Sequence, residues 1–197
     1  LVGFTHRDTS LEGFSTEAEL AVNRQRLFVD GRTLSRQRRF RDYDATYRVV
    51  RAEVTGRFEF AGMEHRLLFG ADSDQFENDQ VFLRARGPTL AANPSLAQSQ
   101  AIDVFNPVYG RFPLPTPGPL TDRLETQESD GLFLQYHVGL TERLDLRAGL
   151  RYDDYEQTLD NRLNRSALTQ SVSRSSPQVG VVYELTPSLS VYAAYGE

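Results

Sequence analysis

Residues 132 to 155 hold two runs of alternating apolar and polar residues joined by a very short break. Leu132, Leu134, Tyr136, Val138 and Leu140 share one phase, with Gln135, His137 and Gly139 in the other. After Thr141-Glu142-Arg143 the alternation resumes. Leu144, Leu146, Ala148, Leu150 and Tyr152 are interleaved with Asp145, Arg147, Gly149, Arg151 and Asp153. A period of two means strand, because successive side chains of a strand point to opposite faces. The runs are ~9 residues or more, longer than the ~5–6 of a common strand. That is the length of a tilted strand crossing a bilayer as part of a barrel. Full charges along the second phase fit a wall with lipid on one side and water on the other.

Four further segments repeat the pattern. Val50 to Phe60 alternates apolar residues with Arg51, Glu53, Thr55, Arg57 and Glu59. Leu67, Phe69 and Ala71 alternate with Arg66, Gly70 and Asp72, and Leu68 is the exception. Val179 to Leu185 and Leu189 to Tyr195 form the last pair. Three hairpins result, closed at Ala61–Glu64, Thr141–Arg143 and Thr186–Ser188. The connections Leu11–Gly31, Glu77–Arg123 and Thr158–Ser171 are polar and without pattern, so short and long connections are expected to alternate. Outer-membrane barrels have this asymmetry, with short periplasmic turns and long extracellular loops. Arg32 to Tyr47 carries charge in both phases, and an arginine facing lipid at the midplane costs ~2–4 kcal/mol. As a strand it must stand above the membrane and run down into Tyr47–Phe60. With a strand near Val2 and Phe4, the count is about seven. Tyr47, Tyr136, Tyr152, Tyr183 and Tyr195 lie on or near the apolar phase, where interfacial girdles place aromatics.

Composition narrows the alternatives. The 197 residues are 39% hydrophobic and 25% charged, and mean hydropathy is −0.48. No apolar run reaches the ~18 residues of a membrane helix. A barrel is compatible with that average because half its strand residues are polar. There is no cysteine, hence no disulfide framework or thiolate metal site. A net charge of −5 argues against nucleic acid as a partner. All 22 basic residues are arginine, a bias without a physical explanation here. The start at Leu1 and the stop just after a strand-like run lead us to expect a piece of a longer protein.

Several motifs, in order, resemble TonB-dependent siderophore receptors, and in particular their ferrichrome-type branch. Glu64-His65-Arg66-Leu67-Leu68-Phe69-Gly70-Ala71-Asp72 is similar to a family hairpin. Phe105-Asn106-Pro107-Val108-Tyr109-Gly110 resembles a loop segment built on Asn-Pro-Val-Tyr, and Gly149-Leu150-Arg151-Tyr152-Asp153 a Gly-Gly-Arg-Tyr-Asp strand. Ser176 to Tyr183, Thr186-Pro187 and Ser190 to Glu197 resemble one further hairpin. The likeness covers residues 47–197 and is looser before them. One departure is Tyr136-His137, where the family carries an acidic-Gln pair after the glutamine. The resemblance implies an all-β fold. Residues 1–197 would form an antiparallel transmembrane β-barrel fragment, open here, of about seven strands from a 22-stranded barrel. The plug domain would be absent. The function implied is an outer-membrane receptor and transporter of ferric siderophores, coupled to the TonB complex through the missing N-terminal parts and set in outer-membrane lipid.

No enzyme is expected. There is no Gly-x-Ser-x-Gly elbow, phosphate-binding glycine loop or His-Glu-x-x-His helix. Asp72-Ser73-Asp74 lacks the glycine turn and closing glutamate of a calcium loop. His137 has no neighbouring serine in its own phase, which disfavours a barrel hydrolase. Candidate ligand-binding residues are Phe105, Tyr109, Phe82 and Phe112, with Arg84 and Arg111 as complements to an anionic complex; Arg86 is a further cation nearby. They fall in a long, Pro-rich segment, and loops on rigid scaffolds commonly bind. The rings could equally pack the loop on itself. Iron would arrive already chelated, so no cofactor and no protein metal ligands are expected. The alternatives are another outer-membrane barrel (a vitamin B12 or oligosaccharide receptor, or a porin) and a soluble β-sandwich binding module.

Overall fold

The computed structural model describes residues 1–18, 31–87 and 100–197, and every regular element among them is a strand. Seven long strands form one antiparallel sheet: β1 (Val2–Ala18), β3 (Arg36–Phe60), β4 (Met63–Ala85), β6 (Gly118–Thr141), β7 (Leu144–Asn161), β8 (Ser166–Thr186) and β9 (Leu189–Gly196). Their order in space is their order in sequence, with β1 and β9 at the edges. Two short strands, β2 (Thr33–Leu34) and β5 (Ile102–Asp103), pair with each other at one end.

The register places the apolar phases of all strands on one face. Leu134 stands opposite Leu150 and Phe69, and Phe69 opposite Val54. Val138 stands opposite Leu146, Leu146 opposite Val181, and Tyr183 opposite Val191. The other face carries Gln135, Arg147, Arg151 and Glu184, as the alternation requires. Toward the short turns no described residue covers the apolar face: Val54 is 70% exposed, Phe69 51% and Leu150 52%. A β-sandwich buries that face under a second sheet. A barrel wall leaves it to lipid.

At one end the hairpins close in two residues: Ala61-Gly62, Glu142-Arg143 and Pro187-Ser188. Ala61 and Gly62 both have positive φ, 51° and 75°, the backbone of the tight turn that matches strand twist. The opposite end departs from expectation. Strands β3, β4 and β6 have 25, 23 and 24 residues. At ~3.3 Å per residue β3 is about 80 Å long, far beyond a hydrocarbon core of ~30 Å. Leu11–Ala18, Glu77–Ala85 and Gly118–Arg123 are therefore strand. Thr158–Ser171 is strand too, apart from the turn 162–165. In that turn the Asn161 side chain accepts hydrogen bonds from the Leu163 and Asn164 amides at 3.1 and 3.4 Å. Residues 19–30, most of the expected Leu11–Gly31 loop, lie outside the described residues.

Candidate functional site

The long overhang gives the polar face a wall beyond the last apolar residues. In that phase β3 presents Arg39, Arg41, Tyr43 and Tyr47, and β4 presents Phe76, Gln80, Phe82 and Arg84. Arg39 stands directly opposite Arg84, Arg41 opposite Phe82, and Tyr43 opposite Gln80. The rings of Tyr43 and Phe82 meet edge to face with centroids 6.5 Å apart. Glu17 on β1 serves two of the arginines, at 2.7 Å from Arg41 and 3.4 Å from Arg39. Partial burial works against its charge, but hydrogen bonds from Arg41 and Ser15 outweigh this and hold the carboxyl below its ordinary range. The Arg84 guanidinium, half-buried, makes no hydrogen bond or ion pair among the described residues.

Phe82 and Arg84 are thus strand residues on the polar face, not loop residues. The other four candidates sit on segment 100–117, which folds against the opposite phase of β3. Arg36 and Arg38, in phase with the apolar face, hold it there. Arg36 donates to the Gln100 carbonyl at 2.6 Å, and Arg38 to the Pro115 carbonyl at 3.0 Å. A cavity of about 440 Å³ opens between this segment and the strand ends, lined by Glu17, Leu34, Arg36, Ile102, Tyr109 and Phe112. The Arg36 guanidinium lies 5.9 Å from the Tyr109 ring, and that of Arg111 lies 5.3 Å from Phe112. Phe105 and Tyr109 remain 77% and 75% exposed. Arg32 stands 5.8 Å over Phe105 and is ion-paired with Asp103. The structure therefore joins Tyr109, Arg111 and Phe112 at one rim cavity and puts Phe82 and Arg84 on a separate surface.

Lower on the polar face is a cluster that sequence reasoning passed over. Phe133 is buried between Arg51 and Arg151, whose guanidinium carbons lie 4.8 and 5.7 Å from its ring centroid. Arg151 grips Asp72 through two hydrogen bonds, 2.7 and 3.0 Å, and reaches Asp153 at 2.7 Å. Phe133 falls in the polar phase of β6, so alternation alone treats it as an irregularity. The available signal is Gly70 directly opposite, the one position where β4 leaves room for the ring. Near the short turns, His65 is buried on the apolar face. It stacks on Phe58 with centroids 5.0 Å apart and bonds the Tyr136 hydroxyl at 2.5 Å, a satisfied structural histidine. Among the described residues no group of His, Asp or Glu is arranged to hold a metal ion.

An open sheet with one apolar face, one charged face and an overhang at a single end is the wall of a large membrane barrel. Comparison with known proteins agrees. The family described as TonB dependent receptor-like, beta-barrel, matches residues 2–197. The chain is 30% identical over 189 residues to the metal-pseudopaline receptor CntO of Pseudomonas aeruginosa (strain UCBPP-PA14), covering 93% of this chain and 25% of that protein. It is 25% identical over 203 residues to the ferric-pyoverdine 358 receptor of Pseudomonas putida, covering 96% and 22%. The chain spans about a quarter of the length of these curated relatives. The crystal structure of the siderophore receptor PiuA from Acinetobacter baumannii superposes with a TM-score of 0.77 at 18% identity, over 99% of this chain and 29% of that one. The proteins it matches are receptors rather than enzymes, and a specific ferrichrome-type branch does not emerge among them. The chain belongs to the TonB-dependent receptor β-barrel family.

Proposed function

We propose that this chain is one part of the barrel of an outer-membrane receptor that captures ferric siderophores and imports them with energy supplied through TonB. The apolar face would meet outer-membrane lipid, the short turns would lie in the periplasm, and the overhang would stand outside the cell. The complete protein would add the remaining strands and a plug domain, the parts that gate the lumen and reach the energy transducer. The observation that carries this reading is the overhanging polar wall, where the Tyr43 and Phe82 rings adjoin Arg39, Arg41 and Arg84. Rings offer area to the organic body of a chelator, and arginines offer forked donors to its oxygens. Phe82 and Arg84 would contact the ligand on this wall. Phe105, Tyr109, Phe112 and Arg111 would contribute from the rim segment. Iron is cargo here and enters already chelated.

The test is iron uptake by a strain in which the full-length receptor is the sole importer. Uptake of at least one ferric siderophore that depends on both the receptor and TonB supports the reading. Uptake that persists without TonB, in the manner of a porin, would overturn it.

A further inference from the structure

Charge in the overhang is sorted by face. On the phase that continues the apolar face, carboxylates dominate and even stand opposite one another: Asp44 faces Asp79, Glu128 faces Glu156, and Asp130 faces Asp154. On the lumen phase the cations Arg7, Arg39, Arg41, Arg84 and Arg123 outnumber the carboxylates Glu17, Asp74 and Glu125, and Glu125 lies 3.9 Å from Arg123. The overall charge of −5 conceals this division. Like charges placed directly opposite across a sheet are destabilising. The pair Arg39 and Arg84 carries that cost on the lumen side. Glu17 is shared between Arg39 and Arg41, at 3.4 and 2.7 Å. Among the described residues Arg84 keeps its donors unused, half-buried beside Phe82 and Arg39.

We infer that the wall around Arg39 and Arg84 is a subsite for a carboxylate-bearing, anionic metal chelate. This rests on the siderophore reading and narrows it to a ligand class. A carboxylate is the group whose two oxygens match a planar guanidinium fork. Arg84, whose donors are unspent among the described residues, can grip such a group, and Arg39, ion-paired with Glu17 at 3.4 Å, stands directly opposite to share it. Tyr43 and Phe82, one and two rungs below, cover the apolar part of the same ligand. The acidic outer surface repels an anion and the basic inner surface attracts it, so the field directs the chelate inward rather than onto the outside of the wall.

The experiment uses the full-length receptor as the sole importer in iron-starved cells. Radioactive iron is offered as ferric citrate, as the ferric complexes of a citrate-based hydroxamate and of an aminocarboxylate chelator, and as a neutral ferric trihydroxamate. The expected result is uptake confined to carboxylate-bearing chelates, with half-saturation rising at least about tenfold in Arg39→Gln/Arg84→Gln at unchanged receptor level. Added salt should weaken the parent and affect the double variant less. Arg48→Gln, on the outer phase, should behave as the parent. If the double variant fails to reach the membrane, Arg84→Gln alone carries the test, since Arg84 has no partner to lose among the described residues. Uptake of the neutral trihydroxamate alone, or half-saturation within twofold of the parent in an assembled variant, overturns the ligand class and leaves the siderophore reading standing. Uptake of none of the chelates likewise overturns the ligand class, and the siderophore reading then rests on its own TonB-dependence test.

Discussion

Phe133 fits its strand only because residue 70 is glycine: a Cβ placed there would stand 2.3 Å from Phe133 Cζ and 2.9 Å from the Ala52 carbonyl oxygen. The ring is trapped between Arg51 and Arg151, and Arg151 is itself held by Asp72 and Asp153. Gly70→Ala should therefore cost about 1–3 kcal/mol through overpacking and reduce assembled barrel. Phe133→Leu introduced with it should recover part of the loss. Heat-modifiable mobility of the full-length receptor on gels reads both. A Gly70→Ala barrel as heat-stable as the parent would contradict the packing described here.

Arg162 pins the tip of the β7–β8 hairpin to two other strands. It donates to Asp79 on β4 and to Asp122 on β6, the latter at 2.5 Å, and its amide bonds the Asp122 carbonyl at 2.8 Å. The hydrogen bonds from Arg162 hold the Asp79 carboxyl below its ordinary range, against a smaller opposing effect of burial. A carboxylate with a depressed folded pKa stabilises above its unfolded value of ~3.9, and the effect is lost as pH falls through the lower folded value. The exposed site limits the gain to at most about 1 kcal/mol. Protection factors around residues 161–166 should fall in the parent below about pH 4 toward those of Arg162→Ala, which should be low throughout. Equal protection in the two proteins at neutral pH would remove the clamp.

The barrel phase of each strand near the short turns was legible because lipid and lumen impose opposite polarity on alternate residues. Leu146 and Arg147 show it most simply. The overhang was not legible for the same reason: beyond the membrane both faces meet water, and stretches such as Thr158–Asn161 and Ser166–Ser171 lose the hydropathy contrast while remaining paired strands. On that account Phe82 and Arg84 look like loop residues in the sequence. The double-phase charge of Arg39, Arg41 and Asp42 marks a strand above the membrane, but its convergence with β4 is a matter of register. A hairpin's register follows from its turn, and the partners of Phe82 lie 41 residues upstream at Arg41 and 39 downstream at Thr121.

The rim segment and the wall make separable predictions. Phe105→Ala combined with Tyr109→Ala removes two largely exposed rings. If the rim takes part in capture, siderophore affinity of the full-length receptor should fall while barrel assembly is unchanged. Tyr43→Ala with Phe82→Ala should lower affinity further, by about tenfold or more if both rings lose ligand contact. Unchanged affinity in both variants, with normal assembly, would place capture elsewhere in the protein.

Residues 1–197 expressed alone in water should aggregate or require detergent. Among the described residues the sheet has two edges, at β1 and β9, and an apolar face that no second layer covers. A monodisperse, detergent-free monomer with a cooperative melt would favour a sandwich.

The central claim is that one face of this sheet meets lipid and the other the lumen. Leu146→Cys and Arg147→Cys, each spin-labelled in the full-length receptor reconstituted in bilayers, test it most directly, and this chain contributes no cysteine of its own. The label at 146 should collide with lipid-dissolved oxygen and be hidden from a water-soluble nickel chelate. The label at 147, one residue along, should show the weaker oxygen contact of a lumen site. Equal exposure to oxygen at both positions, or nickel access at 146, would contradict the account.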